Sequence, residues 1–347
     1  MRNRYYVLVL GVDVLDRIFY LWEKRLSQRD TNRKVRPFEW GIEFVPADIE
    51  EENPVLYLKA YARKFLEESD AYHSYSPPQN ICFDGHHLTF DSPLTSIYPK
   101  NNTVHAFHYP VQSDGRVVVV LPQWNADLGG HQSLCRMLNR FGLSALRVSL
   151  PYHDLRMPNE LERADYMLSP NIGRTLQAVR QAVMDARAAI DWLESEGYSR
   201  FAILGTSLGS CVALITIAHD SRIRLSVQNH VSPFFADVVW EGISTRHVRE
   251  GLEGNVTLDE LRDIWMPISP KAYFKKMKGT GQQSLLVHAL YDYSFLPRLS
   301  REVLADYAEL GIPNVTCTLR CGHYTSGLFP FNIFLGYIMC RYIQRNL

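Results

Sequence analysis

The chain has 347 residues, of which 21% are charged and 46% are hydrophobic. This composition is ordinary for a globular protein and excludes a disordered or fibrous chain. Lys plus Arg and Asp plus Glu each number 37, so the formal net charge is zero. A chain without an overall field does not attract nucleic acid, and we expect no nucleic-acid partner.

The first residues and the cysteines bear on location and on metal binding. Basic residues and a short apolar run open the chain, but Asp13 and Asp16 interrupt the run and no small-residue cleavage site follows, so a signal peptide is disfavoured. No apolar run is long enough to span a bilayer. Cys317 and Cys321 have no matching second pair, so we predict no metal site. We expect a cytoplasmic protein with reduced cysteines.

Residues 1–78 are predicted to form an N-terminal helical extension packed on a main domain at residues 79–347. Helical periodicity indicates helices at 12–28 and 54–69, the second starting at Pro54. We interpret the aromatic-rich stripe of the first helix as a surface that packs on the main domain. The apolar residues of this stripe are Val12, Leu15, Ile18, Phe19, Trp22 and Leu26.

From residue 79 onward the pattern predicts a strand hairpin, and then strands that alternate with helices. Asp84-Gly85 is typical of a hairpin turn. Steady alternation of strands and helices predicts an α/β fold with a doubly wound, mostly parallel sheet, whose ligands bind at the carboxyl ends of the strands. The predicted strands are 117–121, 146–150, 201–204, 225–231, 284–290 and 315–319, and the predicted helices are 131–141, 173–196, 299–310 and 331–344.

The stretch at about 233–283 is too long for one simple crossover between two strands. It is rich in aromatic residues and contains short helical patterns. We interpret it as a cap-like insertion over the site, and the alternative is a longer crossover.

Gly205-Thr-Ser207-Leu-Gly209 stands between an apolar strand and an apolar helix. A nucleophilic serine at a sharp strand-to-helix turn requires small neighbours two residues away on both sides, because strand and helix approach each other there. Ser207 is therefore the predicted nucleophile.

A serine hydroxyl needs a base to take its proton and an acid to orient that base. His323 follows the last predicted strand, and Asp292 follows the strand before it. We predict His323 as the base and Asp292 as the acid, with Asp237 as the main rival acid. The order Ser207, Asp292, His323 is that of α/β-hydrolases and not that of chymotrypsin or subtilisin.

Three other histidines lie close to predicted strands. His288 falls inside a strand and is expected to be buried. His153 and His230 lie near strand ends and are interpreted as spectators or substrate contacts.

The negative oxygen that develops during acyl transfer requires N–H donors. We predict the backbone N–H of Leu208 as one donor. The second is expected from the loop after residues 117–121. Because Pro122 has no N–H, Gln123 or Trp124 must supply it, and we favour Gln123.

The elbow at 205–209, Asp292 and His323 together resemble the α/β-hydrolase superfamily over residues 79–347. The segments Leu121-Pro-Gln-Trp-Asn125, Pro151-Tyr-His-Asp-Leu-Arg156 and Gly205-Thr-Ser-Leu-Gly-Ser210 are similar to the eighteenth α/β-hydrolase-domain subfamily and its bacterial relatives. The resemblance implies a serine hydrolase of acyl esters, lipid-like ones included, without a metal or organic cofactor. The loop at 121–125 lacks the His-Gly pair of many lipases and esterases.

The leading hypothesis is a carboxylic-ester hydrolase whose partner is a small-molecule or lipid-like acyl ester. A serine peptidase would use the same three residues with a different pocket. A catalytically silent binding protein could keep the same fold. The sequence predicts neither the substrate-binding residues nor the acyl chain length or the oligomeric state.

Overall fold

The computed structural model describes residues 12–112 and 114–347, and its centre is one large sheet. Nine strands hydrogen-bond in the order β1-β2-β3-β5-β4-β6-β7-β8-β9. The pairs β1–β2, β2–β3 and β3–β5 are antiparallel. All the other neighbouring pairs, from β5–β4 to β8–β9, are parallel. The strands are β1 Cys82–Phe83, β2 His87–Asp91, β3 Thr103–Tyr109, β4 Arg116–Leu121, β5 Ser144–Val148, β6 Arg200–Thr206, β7 Ile223–Asn229, β8 Gln283–Ala289 and β9 Asn314–Leu319.

Helices cover both faces of this sheet, which is the predicted doubly wound arrangement. The four consecutive valines 117–120 of β4 are fully buried because side chains from both faces meet helices. The helices are α1 Val12–Ser27, α2 Pro54–Glu67, α3 Ser69–Tyr72, α4 Gln132–Arg140, α5 Ile172–Ser195, α6 Leu208–His219, α7 Phe235–Glu241, α8 Arg246–Leu252, α9 Leu258–Ile264, α10 Phe274–Met277, α11 Pro297–Leu310 and α12 Phe331–Asn346.

Local sequence explains where the longer helices begin and end. Asn53 caps α2 through its side chain, which accepts hydrogen bonds from two backbone N–H groups, and the side chain of Asn171 caps α5 by accepting one from Arg174. Gly311 follows α11 with φ of 67°, a left-handed conformation that glycine adopts without strain. One hydrophobic cluster joins α2, α5, α6 and α11 to the sheet, and a second joins α4 and α12 to the other face.

The first helix docks differently from its predicted stripe. Phe19 and Leu26 face the protein, but Leu15, Ile18 and Trp22 of that stripe are exposed. Periodicity identifies the residues that share one face of the helix. It does not identify which of these residues contact the core. The basic and apolar opening at residues 1–10 lies outside the described residues.

The insertion between β7 and β8 folds into the short helices α7 to α10. It packs against the N-terminal region, where Lys59 of α2 forms an ion pair with Asp263 next to the end of α9. Trp265 is fully buried and donates a hydrogen bond to the carbonyl of Ile172 at the start of α5. The insertion is thereby fixed beside the carboxyl ends of the central strands.

Candidate active site

Ser207 lies in the strained turn between β6 and α6. Its φ of 56° and ψ of −117° are unusual for a residue with a side chain. A Cβ at Gly205 would lie 2.1 Å from the carbonyl oxygen of Gly209, and one at Gly209 would lie 2.3 Å from that of Leu121. Only glycine fits at both positions, which is the physical reason for the spacing seen in the sequence.

Ser207 borders an apolar cavity with a volume of about 50 Å³ that opens to solvent. Helix α6 contributes one wall, and the insertion contributes another through Phe234, Phe235, Val238 and Val239. An apolar cleft with few polar groups is typical of a small-molecule site. The lining of the cavity therefore favours an apolar ligand group.

Asp292 follows β8 and is almost completely buried. Its Oδ1 accepts hydrogen bonds from the backbone N–H groups of Ser294 and Phe295 at 2.8 and 2.7 Å. Its Oδ2 accepts from two histidines, His230 and His323. Burial raises the pKa of Asp292, but the charge of His323 and the bonds from both rings outweigh burial and lower it below the ordinary value. Asp292 is thus held as a carboxylate.

His323 follows β9, and its ring meets Asp292 through Nδ1 at 3.1 Å. Because the carboxylate has no proton, Nδ1 donates and Nε2 keeps its lone pair. Burial lowers the pKa of His323, but Asp292 and then Glu23 overcome burial, so the pKa lies above its usual value. The tautomer is the one that a general base requires.

Nε2 of His323 makes no hydrogen bond with Ser207 or another described residue. Phe295 lies near both His323 and Ser207. Its ring stacks on the His323 ring with 5.3 Å between the ring centres, and it lines the same cavity as Ser207. Hydrogen bonds between a nucleophile and its base are often long before substrate binds.

His230 is a neighbour of Asp292 whose contact with that carboxylate was not predicted from the sequence. It lies directly after β7, is fully buried, and donates from Nδ1 to Asp292 Oδ2 at 2.8 Å. Its Nε2 lies 3.1 Å from Ser326 Oγ. The interpretation of His230 as a spectator or substrate contact did not include this bond, which arises because β7 lies beside β8 in the sheet and the two strand ends bring His230 to Asp292. A histidine one residue beyond a strand that neighbours the acid's strand was the available signal.

Glu23 of α1 is a second unpredicted neighbour. Its carboxylate is fully buried and accepts the backbone N–H groups of Tyr324 and Thr325 at 2.9 and 2.8 Å. A Cβ at Gly322 would lie 2.3 Å from the carboxyl carbon of Glu23, so the glycine permits this approach. The loop that carries His323 is therefore braced by the first helix.

The loop after β4 approaches the elbow where the oxyanion donors are expected. The backbone N–H groups of Leu208, Gln123 and Trp124 have no acceptor among the described residues. Leu208 and Trp124 border the cavity with Ser207.

His153 fixes this loop from behind. Its Nδ1 donates to the carbonyl of Pro151 at 2.8 Å, and its Nε2 accepts the N–H of Asn125 at 2.9 Å. Burial lowers the pKa of His153 to about 4. A histidine that stays neutral keeps the acceptor that holds the loop.

The rival acid and the remaining strand histidine are both engaged elsewhere. Asp237 forms a two-pronged ion pair with Arg262, at 2.7 and 2.9 Å. His288 is buried in β8, as expected, and Nε2 bonds the hydroxyl of Thr318 at 2.9 Å.

One group of side chains in the described chain has the composition of a metal site. Ligand atoms of His230, Asp292 and His323 all lie within 4.8 Å of one another. Both Nδ1 atoms already bond Asp292 Oδ2, so an ion would have to replace both hydrogen bonds.

The sheet order and the flanking helices define the α/β-hydrolase fold, and solved structures agree. An acylaminoacyl peptidase of Pyrococcus horikoshii matches with a TM-score of 0.59 and 14% identity over 79% of this chain and 42% of its own. An acetyl xylan esterase of Paenibacillus sp. R4 matches with a TM-score of 0.58 and 16% identity over 88% of this chain and 98% of its own. Acetyl xylan esterase 1 of Thermoanaerobacterium sp. gives 0.59 and 14% over 86% and 96%.

These similarities define the fold. The chain spans less than half the length of the acylaminoacyl peptidase that it matches. No protein-family model matches the sequence, and no curated protein matches it. Within the described residues, no helix combines the length and apolar character that crossing a membrane requires.

Proposed function

We propose that the protein is a serine hydrolase that cleaves carboxylic (acyl) esters with Ser207, His323 and Asp292. One observation carries the proposal. Ser207 lies in a strained turn and borders an apolar cavity. Phe295 also lines this cavity and stacks on the ring of His323, which the buried carboxylate of Asp292 orients. Esterases of the same fold lend further support.

In the first half of the proposed reaction, Ser207 Oγ attacks the acyl carbonyl carbon and its proton passes to Nε2 of His323. Asp292 stabilises the resulting imidazolium. The tetrahedral oxyanion is bound by the N–H of Leu208 and by that of Gln123 or Trp124. Collapse breaks the ester C–O bond, and His323 returns the proton to the departing alcohol. The product is an acyl ester of Ser207.

In the second half, water attacks this ester and gives a proton to His323. Collapse of the second tetrahedral intermediate releases the carboxylic acid and returns the proton to Ser207 Oγ. We assign the cavity to the acyl chain because its walls are hydrocarbon, which supports substrates with an apolar acyl group, lipid-like esters included.

Labelling with a fluorophosphonate tests the nucleophile. We expect the wild type to be labelled at Ser207 and to hydrolyse nitrophenyl esters, with a loss of at least about a thousandfold in kcat for Ser207→Ala. Thr216→Ser, which alters a buried residue of α6 that does not border the cavity, serves as the folded control. Equal rates for the wild type and Ser207→Ala would remove the serine from the mechanism.

A serine peptidase is the second candidate, favoured by the structural match to the acylaminoacyl peptidase. Competition between matched ester and amide substrates separates the two functions. Faster turnover of the amide would favour the peptidase.

Four finer expectations belong to the same proposal. We propose that residues 1–78 and 79–347 form the extension and the hydrolase domain, and that the insertion at about 233–283 acts as a cap. We also retain the relation to the eighteenth α/β-hydrolase-domain subfamily and the cytoplasmic location as predictions.

A further inference from the structure

His230 joins the proposed catalytic groups in a ring of polar contacts. Its Nδ1 bonds Asp292 Oδ2 at 2.8 Å, and its Nε2 lies 3.1 Å from Ser326 Oγ. Ser326 Oγ also lies 2.7 Å from the carbonyl oxygen of His323, and its single hydrogen can be donated to only one of these two acceptors at a time. His323 Nδ1 completes the ring of contacts with its hydrogen bond to Asp292. This ring of contacts therefore ties together the segments that follow β7, β8 and β9.

The two histidines share one carboxylate oxygen. Each Nδ1 must donate, because Asp292 carries no proton. An oxygen that accepts two hydrogen bonds gives less of its charge to each than an oxygen with one. His230 thereby limits how strongly Asp292 stabilises the protonated His323. The ring of contacts also limits the orientations that the His323 side chain can adopt.

We propose that His230 is a positioning residue for the ester-cleaving reaction: it fixes Asp292 and the His323 loop and reduces the share of Asp292 available to His323. This inference rests on the proposed function. His230 does not touch the cavity that would hold the substrate, since its side chain is fully buried behind Asp292 and Ser326. It acts through the groups that do the chemistry.

Other ionisable groups act on this cluster and would keep their effects in a variant at position 230. They are Glu23 on α1, His288 on β8 and Cys321 after β9, while Arg301 of α11 acts on His288 and the ring of Tyr324 lies against that of His323. Burial and the neighbouring His323 lower the pKa of His230, so the wild-type ring is neutral near neutral pH. A change in the pH profile after replacing His230 then reports its hydrogen bond to Asp292.

The backbone at His230 decides which variants are informative. Its φ of 67° is left-handed, which glycine and asparagine tolerate and alanine does not. His230→Gly removes both hydrogen bonds without backbone strain. His230→Asn suits the same φ and offers an amide N–H close to the position of Nδ1, so a difference between these two variants reports the side chain.

The experiment measures kcat, KM and the pH dependence of ester hydrolysis, together with fluorophosphonate labelling and the melting temperature. For His230→Gly we expect kcat to fall about 10- to 100-fold with KM within twofold, and the midpoint of the acidic limb to move to higher pH. His230→Asn should recover most of both effects. Ser326→Ala, which opens the ring at its other end, should lower kcat less and leave the midpoint nearly unchanged.

His73→Ala is the matched control, because His73 is also a fully buried histidine, but its ring bonds the carbonyl of Ser69 and interacts with groups outside this cluster. We expect it to lower the melting temperature and to leave kcat and the pH midpoint within threefold and a few tenths of a unit. Should His230→Gly fail to fold, His230→Ser, whose short side chain cannot replace the ring, carries the test with the same expected fall in kcat and rise in the midpoint. Normal kcat and an unshifted midpoint in whichever of these two variants folds, or a loss of kcat that follows the melting temperature equally in His73→Ala, would overturn the inference. An unlabelled wild type would instead overturn the proposed function.

Discussion

Replacing Glu23 by glutamine tests whether the first helix controls the candidate site from a distance. The carboxylate accepts two backbone N–H groups of the turn after His323, and the side chain has no exposed surface. Glutamine keeps one acceptor oxygen but turns an NH₂ group toward the other N–H. A hydrogen bond to a charged group contributes about 1.5–3 kcal/mol. A loss of about 2 kcal/mol in the alignment of His323 corresponds to about a 30-fold fall in kcat/KM.

The assay compares kcat/KM across pH for the wild type, Glu23→Gln and Asp16→Asn. Glu23 raises the pKa of His323, so its neutral replacement should also move the acidic limb to lower pH. Asp16 is the matched control because it is an exposed carboxylate on the same helix that accepts only the hydroxyl of Tyr293. We expect Asp16→Asn to stay within threefold of the wild type. A Glu23→Gln protein that loses thermal stability yet keeps the rate and the pH profile would show that α1 only packs.

Two further predictions concern the base and the pocket. Because His323 must be neutral to accept the proton of Ser207 and its pKa is raised above the usual 6.5, kcat/KM of the wild type should rise with pH through a midpoint above 6.5, and a midpoint below that value in a pH–rate profile would contradict the assignment. Val238→Phe fills the cavity, and losing the burial of two methylenes, at about 0.8 kcal/mol each, should lower kcat/KM for octanoyl esters about 15-fold while acetyl esters are unaffected. An equal loss for both chain lengths would place the acyl group elsewhere.

The sequence predicted the fold because its signals are local. The valines of β4 and the periodicity of α5 lie within single elements, and the alternation of such elements leads to a parallel sheet. The turn at Ser207 could be predicted for the same reason, since both glycines that permit it are only two residues away in the sequence. Asp292 and His323 required only the rule that strand ends meet at one edge of the sheet.

What the sequence did not reveal depends on which elements become neighbours. His230 lies one residue past β7, inside the segment predicted as strand at 225–231, and its partner is set by the pairing of β7 with β8. Glu23 is an acid on a helix whose buried side was assigned to other residues. Its partner N–H groups are 301 and 302 positions away, a separation that no periodicity within α1 can encode.

The long sequence separation between Glu23 and its two partner N–H groups affects the order in which the protein folds. A contact between segments so far apart costs closure entropy and forms after the local structure around it. The elbow at Ser207 can be made within one strand and one helix, whereas the clamp from Glu23 onto the turn after His323 needs nearly the entire polypeptide. A partly folded chain would therefore display an elbow serine without an aligned imidazole, and the proposed catalytic geometry would be completed in the final step of folding.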